Sequence, residues 1–90
     1  MSTEKQLPEI SYPALYVFRA ICRKHPDVAE RIRGLVQGVM GPIAEEAVTT
    51  RPSKGDAYIA VHVTCLLTSE AQRQGVYAAF KADADVLLSL

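Results

Sequence analysis

Two histidines, two cysteines and a clustered set of basic side chains are the groups in this sequence whose types invite chemistry. His25 stands just ahead of a helix start and His62 in the middle of a strand-like run, with no Ser or Cys motif beside either. The nucleophile-and-base arrangement of covalent catalysis is therefore not spelled out, and each histidine reads as a surface group. Cys22 and Cys65 lie far apart, without CxxC or Cys/His ligand spacing. They read as reduced core thiols of a reducing compartment, not as a disulfide or metal ligands. Arg19, Arg23, Lys24, Arg31 and Arg33 fall between positions 19 and 33, with Asp27 and Glu30 among them. A solvated turn and helix face is the plain reading of that mixture, and an anion site the sharper one. Phosphate-loop, dinucleotide, HExxH, GxSxG and EF-hand patterns are absent. No catalytic residue, metal or cofactor is expected, and the chemistry points to binding.

The elements that position these groups must share one core, because 90 residues cannot support two. Apolar residues make up 49% and charged residues 22%, a globular balance that excludes disorder and fibrous repeats. Ten basic and ten acidic side chains cancel. No whole-molecule field gathers nucleic acid or anionic membrane, so a charged partner needs a local patch. No apolar run approaches the ~20 residues that span a bilayer. The start, MSTEKQLPEI, is polar, unlike a secretory signal, and the expectation is a cytoplasmic protein without a membrane partner.

Residues 1–11 lack an apolar period and read as a loose leader to a single domain over 12–90. The run ALYVFRAIC, from Ala14 to Cys22, favours a strand, and Arg19 decides its parity. With Arg19 in water, Val17 and Ile21 share its face, while Tyr16, Phe18, Ala20 and Cys22 face the core. His25-Pro26-Asp27 opens a helix whose apolar stripe runs Val28, Ile32, Leu35, Val36, Val39 and Met40, and Gly41-Pro42 stops it. Gly34 and Gly38 weaken this helix and are expected to permit close approach to the sheet. Glu45 and Glu46 break strict alternation while Ala47-Val48-Thr49-Thr50 favours strand, so residues 43–51 read as an edge strand, where polar residues are tolerated. Residues 52–56 make a hairpin turn. Ala57–Leu67 alternates best of all, with Ile59, Val61, Val63, Cys65 and Leu67 on one side and Tyr58, Ala60, His62 and Thr64 on the other. Thr68 or Ser69 caps a second helix, with Ser69 and Gln72 in capping-box spacing; this helix buries Val76, Tyr77 and Phe80, and Arg73 and Gly75 weaken it. A turn at Asp83-Ala84-Asp85 leads to a final strand over 86–90.

The order β, α, β, β, α, β, with right-handed crossovers, makes an α+β, ferredoxin-like two-layer sandwich. Its four-stranded antiparallel sheet has the order 4-1-3-2, with both helices on one face. The other face then carries Val17, Arg19, Ile21, Tyr58 and His62, an apolar surface rimmed by charge and a candidate interaction face. A second candidate is the corner of Arg23, Lys24, His25 and Asp27, where helix N–H groups could receive an anionic effector. The expected partners are an unidentified protein or a small effector, with pairing into a homodimer through the open face or the edge near 43–51.

Lys54-Gly55-Asp56-Ala57-Tyr58-Ile59 resembles the start of the RNP1 signature of RNA-recognition motifs, and Leu15-Tyr16-Val17 resembles RNP2. Asp56, however, replaces a stacking ring, Val61 replaces the final aromatic, and Tyr16 turns inward. One remaining ring makes a poor RNA platform, so nucleic acid is not an expected partner.

From Tyr12 to Leu90 the sequence resembles the small bacterial YbeD-like family, also called DUF493 or UPF0250. The opening Tyr12-Pro13-Ala14-Leu15-Tyr16-Val17-Phe18-Arg19-Ala20-Ile21 is similar to that family's aromatic-Pro, aromatic, then basic pattern. Arg51-Pro52-Ser53, followed by Tyr58 and an alternating strand, resembles its second signature. The resemblance implies a ferredoxin-like domain close in shape to regulatory ACT domains, which bind amino acids or other small effectors. The name "lipoate regulatory protein", used in that family, implies a lipoate-related ligand as one such effector.

Overall fold

The computed structural model describes residues 10–53, 55 and 57–90. The expected leader, 1–11, therefore lies almost wholly outside the described residues, as do Lys54 and Asp56 of the hairpin turn. The elements run β1 (Ala14–Arg23), α1 (Val28–Met40), a 3-10 turn (Glu45–Ala47), β2 (Val48–Pro52), β3 (Tyr58–Leu67), α2 (Glu70–Ala82) and β4 (Val86–Ser89). The sheet order is β2-β3-β1-β4, antiparallel throughout, which is the ferredoxin-like order expected from the crossovers. Among the described residues, no helix is long and apolar enough to cross a membrane.

Strand parity follows Arg19. Phe18, Ala20 and Cys22 are fully buried on β1, as are Val61, Val63 and Leu67 on β3. Between the sheet and the helices lies an aromatic centre. Phe18 meets Tyr77 edge-on at 5.1 Å and Phe80 at 6.1 Å between ring centroids, an arrangement that places ring edges against ring faces. Val28, Ile32 and Val36 from α1 and Val76 and Phe80 from α2 close the core from above.

Helix boundaries follow their signals. Gly41 adopts φ 86°, and its N–H reaches the Gln37 carbonyl at 2.9 Å, ending α1 before Pro42. Ser69 Oγ accepts from the Gln72 N–H at 3.2 Å. The return arm of the cap is displaced by one residue, because the Gln72 side chain accepts from the N–H of Thr68, at 2.8 Å, and not from that of Ser69.

Three expectations need correction. The segment 43–51 is not one edge strand: Ile43 is buried, and Glu45–Ala47 makes a 3-10 turn before β2 starts at Val48. The turn leaves Glu45 and Glu46 exposed, an arrangement that their charge demands and that strand alternation denies to one of any adjacent pair. Gly34 and Gly38 do not approach the sheet; both are exposed, with nothing within 4 Å of where a Cβ would stand. The close approach occurs instead at Gly75, where a Cβ would lie 3.1 Å from Val39 Cγ1, so that glycine brings α2 against α1. Arg73 is not simply a weak point of α2, because its guanidinium packs over the Tyr77 ring at 5.6 Å.

Candidate functional site: the open face of the sheet

Among the described residues, both helices cover one side of the sheet and no element covers the other. Antiparallel register places directly opposite residues on the same face, so the open side reads as a series of rows. Leu15 faces Leu66, and Val17 faces Thr64. In the next row Thr49, His62 and Arg19 lie abreast, and two backbone bonds between Arg19 and Leu90, at 2.8 and 3.1 Å, extend it beyond β4. Arg51, Ala60, Ile21 and Leu88 form the row after that, and Tyr58 faces Arg23 at the end. The expected face residues Val17, Arg19, Ile21, Tyr58 and His62 are thus brought together on one surface.

Its apolar content is larger than those five residues suggest. Leu15, Leu66, Leu88 and Leu90 are 54–76% exposed, and Val17 and Tyr58 are 42% exposed. The parity set by Arg19 and His62 assigns Leu15 and Leu66 to this face. A leucine reads as core by type, which hides that signal. The extra leucines extend the apolar rows to both ends of the face.

The residues expected at the effector corner also gather at one end of the sandwich, but with acidic company. Among the described residues, His25 Nε2 lies 3.2 Å from Asp85 Oδ2. Arg31 reaches Asp83 Oδ2 through Nε at 2.9 Å and Asp85 Oδ2 through its guanidinium at 3.0 Å. The α2–β4 turn therefore delivers two carboxylates against His25 and Arg31. Asp27 precedes α1 without a side-chain cap bond, and the Lys24 N–H donates to the Ala57 carbonyl at 3.1 Å. Beside them runs an apolar groove of about 490 Å³, bordered by Lys24, His25, Pro26, Val28, Thr50 and Ile59.

A polar network that local patterns do not reveal ties the start of β1 to α2. The Tyr12 hydroxyl donates to Glu70 Oε1 at 2.5 Å, and Arg73 grips both oxygens of Glu70 at 2.8–3.2 Å. The hydroxyls of Tyr16 and Tyr77 share a hydrogen bond of 2.7 Å. The bond from Arg73, and then the one from Tyr12, holds the Glu70 carboxyl down at about 2. Burial first, and the Tyr16 bond second, push the Tyr77 phenol up. The three hydroxyls serve as donors and acceptors of a structural tie.

Cys22 and Cys65 are buried, free thiols. Desolvation pushes Cys22 up to about 11, with Asp83 and Asp85 adding to it, and desolvation also raises Cys65. Neither is a ready nucleophile. Among the described residues, no three His, Cys, Asp or Glu side chains gather to hold a metal ion.

The comparison with known proteins agrees with this architecture. A family model described as "Protein of unknown function (DUF493)" matches residues 7–90. The chain belongs to the DUF493 family. A UPF0250 protein of Paraburkholderia phytofirmans is 31% identical to this DUF493 chain over 68 residues, covering 76% of each sequence. The solution structure of protein HP0495 from H. pylori superposes with a TM-score of 0.74 at 18% identity, covering all of this chain and 94% of the other. At that identity the likeness speaks for the fold alone. The DUF493 chain thus shares a fold and a family whose activity is not established.

Proposed function

We propose that this DUF493 domain is a non-enzymatic interaction module that binds a protein partner through the open face of its sheet. The observation carrying the reading is the set of aliphatic side chains held in solvent in adjacent rows. Scattered exposed leucines are ordinary, but apolar rows gathered on one face, with Arg19, His62 and Thr49 running between them, make the mixed apolar and polar composition of a contact surface. The core thiols are raised and protonated, and the tyrosine network is internally satisfied, so neither competes with binding as the purpose of the fold. Affinity capture from native extract, with the wild-type chain and with a Leu15→Thr/Leu66→Thr variant, tests the reading. A partner recovered by the wild type and lost from the variant supports it; equal recovery by both counts against it. Light scattering across concentrations separates self-pairing from binding of a different chain.

A second reading, an ACT-like effector domain with an amino acid or lipoate-related ligand, is favoured by the groove beside Lys24 and His25. The proximity of Asp83 and Asp85 to His25 and Arg31 weighs against an anionic ligand there. Thermal-shift measurements with amino acids, nucleotides and lipoyl or octanoyl compounds test it. No stabilisation by any of them at millimolar concentration removes it.

A further inference from the structure

Charge in this protein is segregated by element. None of the four strands contains Asp or Glu, so every acidic residue among those described falls outside the sheet. The open face nevertheless carries Arg19, Arg23, Arg51 and His62 in its rows. On the helices, Arg31, Arg33 and Arg73 each grip a carboxylate. On the face, Arg19, Arg23 and Arg51 have no acidic partner among the described residues. A zero net charge thus conceals a cationic, leucine-bearing surface.

We infer that the occupant of this face is an acidic protein segment that sets aliphatic or aromatic anchors between its carboxylates. The inference rests on the proposed interaction role and adds the chemistry of the partner. Carboxylates of such a segment would meet guanidinium groups in fork geometry, while its anchors cover Leu15, Leu66 and Leu88. A second copy of this chain docked face to face brings Arg19 and its neighbours against the same cations with no carboxylate between them, which electrostatics disfavours. Nucleic acid would satisfy the arginines but leave the leucines wet, and among the described residues the face offers a base only Tyr58 and the smaller His62 ring to stack on. An anionic bilayer requires a continuous apolar plane, and Thr49, His62, Arg19 and Thr64 interrupt this one.

The test is selection of random linear peptides against the full chain, followed by amide-resolved NMR titration of the enriched sequences. The expected result is enrichment of Asp and Glu alternating with Leu, Ile or Phe, with perturbed amides on β1 and β3. Affinity should fall with added salt, and Arg19→Glu should weaken it at least about tenfold while Lys81→Glu on α2 leaves it unchanged. Arg51→Glu, on the edge strand, repeats the test should Arg19→Glu alter folding. Peptides that bind the face without acidic excess, binding unaffected by either charge reversal, or failure to select any face-binding sequence would overturn the inference. So would tighter binding of mixed-sequence single-stranded RNA, or of phosphatidylserine vesicles, to the same face. Acidic peptides that perturb the helices or the groove instead would defeat the underlying interaction reading, which separates the two failures.

Discussion

Leu15 and Leu66 stand opposite each other across the two central strands, and both side chains lie more than half in solvent. A pair that contributes little to the core can be changed at little cost to folding. Leu15→Thr and Leu66→Thr should each shift unfolding free energy by less than about 1 kcal/mol, since threonine suits an exposed strand. Urea titration checks this, and a larger loss would mean that the pair serves the fold instead of a partner.

Phe18, one residue before Arg19, should behave in the opposite way. It is fully buried and packs against Tyr77 and Phe80, so Phe18→Ala should destabilise by about 3–5 kcal/mol. Chemical denaturation reads the difference. A loss below about 1 kcal/mol would contradict the assigned parity of β1.

The helical glycines should separate by surroundings. Gly34→Ala, in an open position of α1, should stabilise by about 0.5–1 kcal/mol through helix propensity. Gly75→Val, where even a Cβ meets Val39 at 3.1 Å, should destabilise by about 1–3 kcal/mol. Thermal unfolding of the two variants gives both signs.

Glu70 should make stability depend on pH in acid. Its carboxyl, ordinarily near 4.5, is held down at about 2 by Arg73 and then Tyr12. The stabilisation is therefore complete above the ordinary value and is lost as pH falls toward about 2. The midpoint of the wild type should exceed that of Glu70→Gln at neutral pH, and the gap should close across that interval. A gap independent of pH would show that the carboxylate charge is not what Tyr12 and Arg73 hold.

Much of this was legible from local patterns. Arg19 in an otherwise apolar run set the parity of β1, the alternation of Ile59 to Leu67 set that of β3, and Gly41-Pro42 ended α1. Glu45 and Glu46 concealed a 3-10 turn because adjacent charges at an edge fit a tolerant strand equally well. The tie from Tyr12 to Glu70 joins positions 58 apart, and the contact of His25 with Asp85 joins positions 60 apart. Local periodicity carries no information about such meetings, which depend on how the sandwich closes. Leu15 and Leu66 were hidden by their type, although their parity with Arg19 and His62 pointed outward.

The most direct test of the binding face places a photo-crosslinking residue in living cells at Val17 or Leu66 on the sheet, and at Ala71 or Ala78 on exposed positions of α2. A protein adduct of the same mass from both sheet positions, absent from the helix positions and lost with Arg19→Glu, is the predicted result. Equal crosslinking from α2, or none from the sheet, would contradict it.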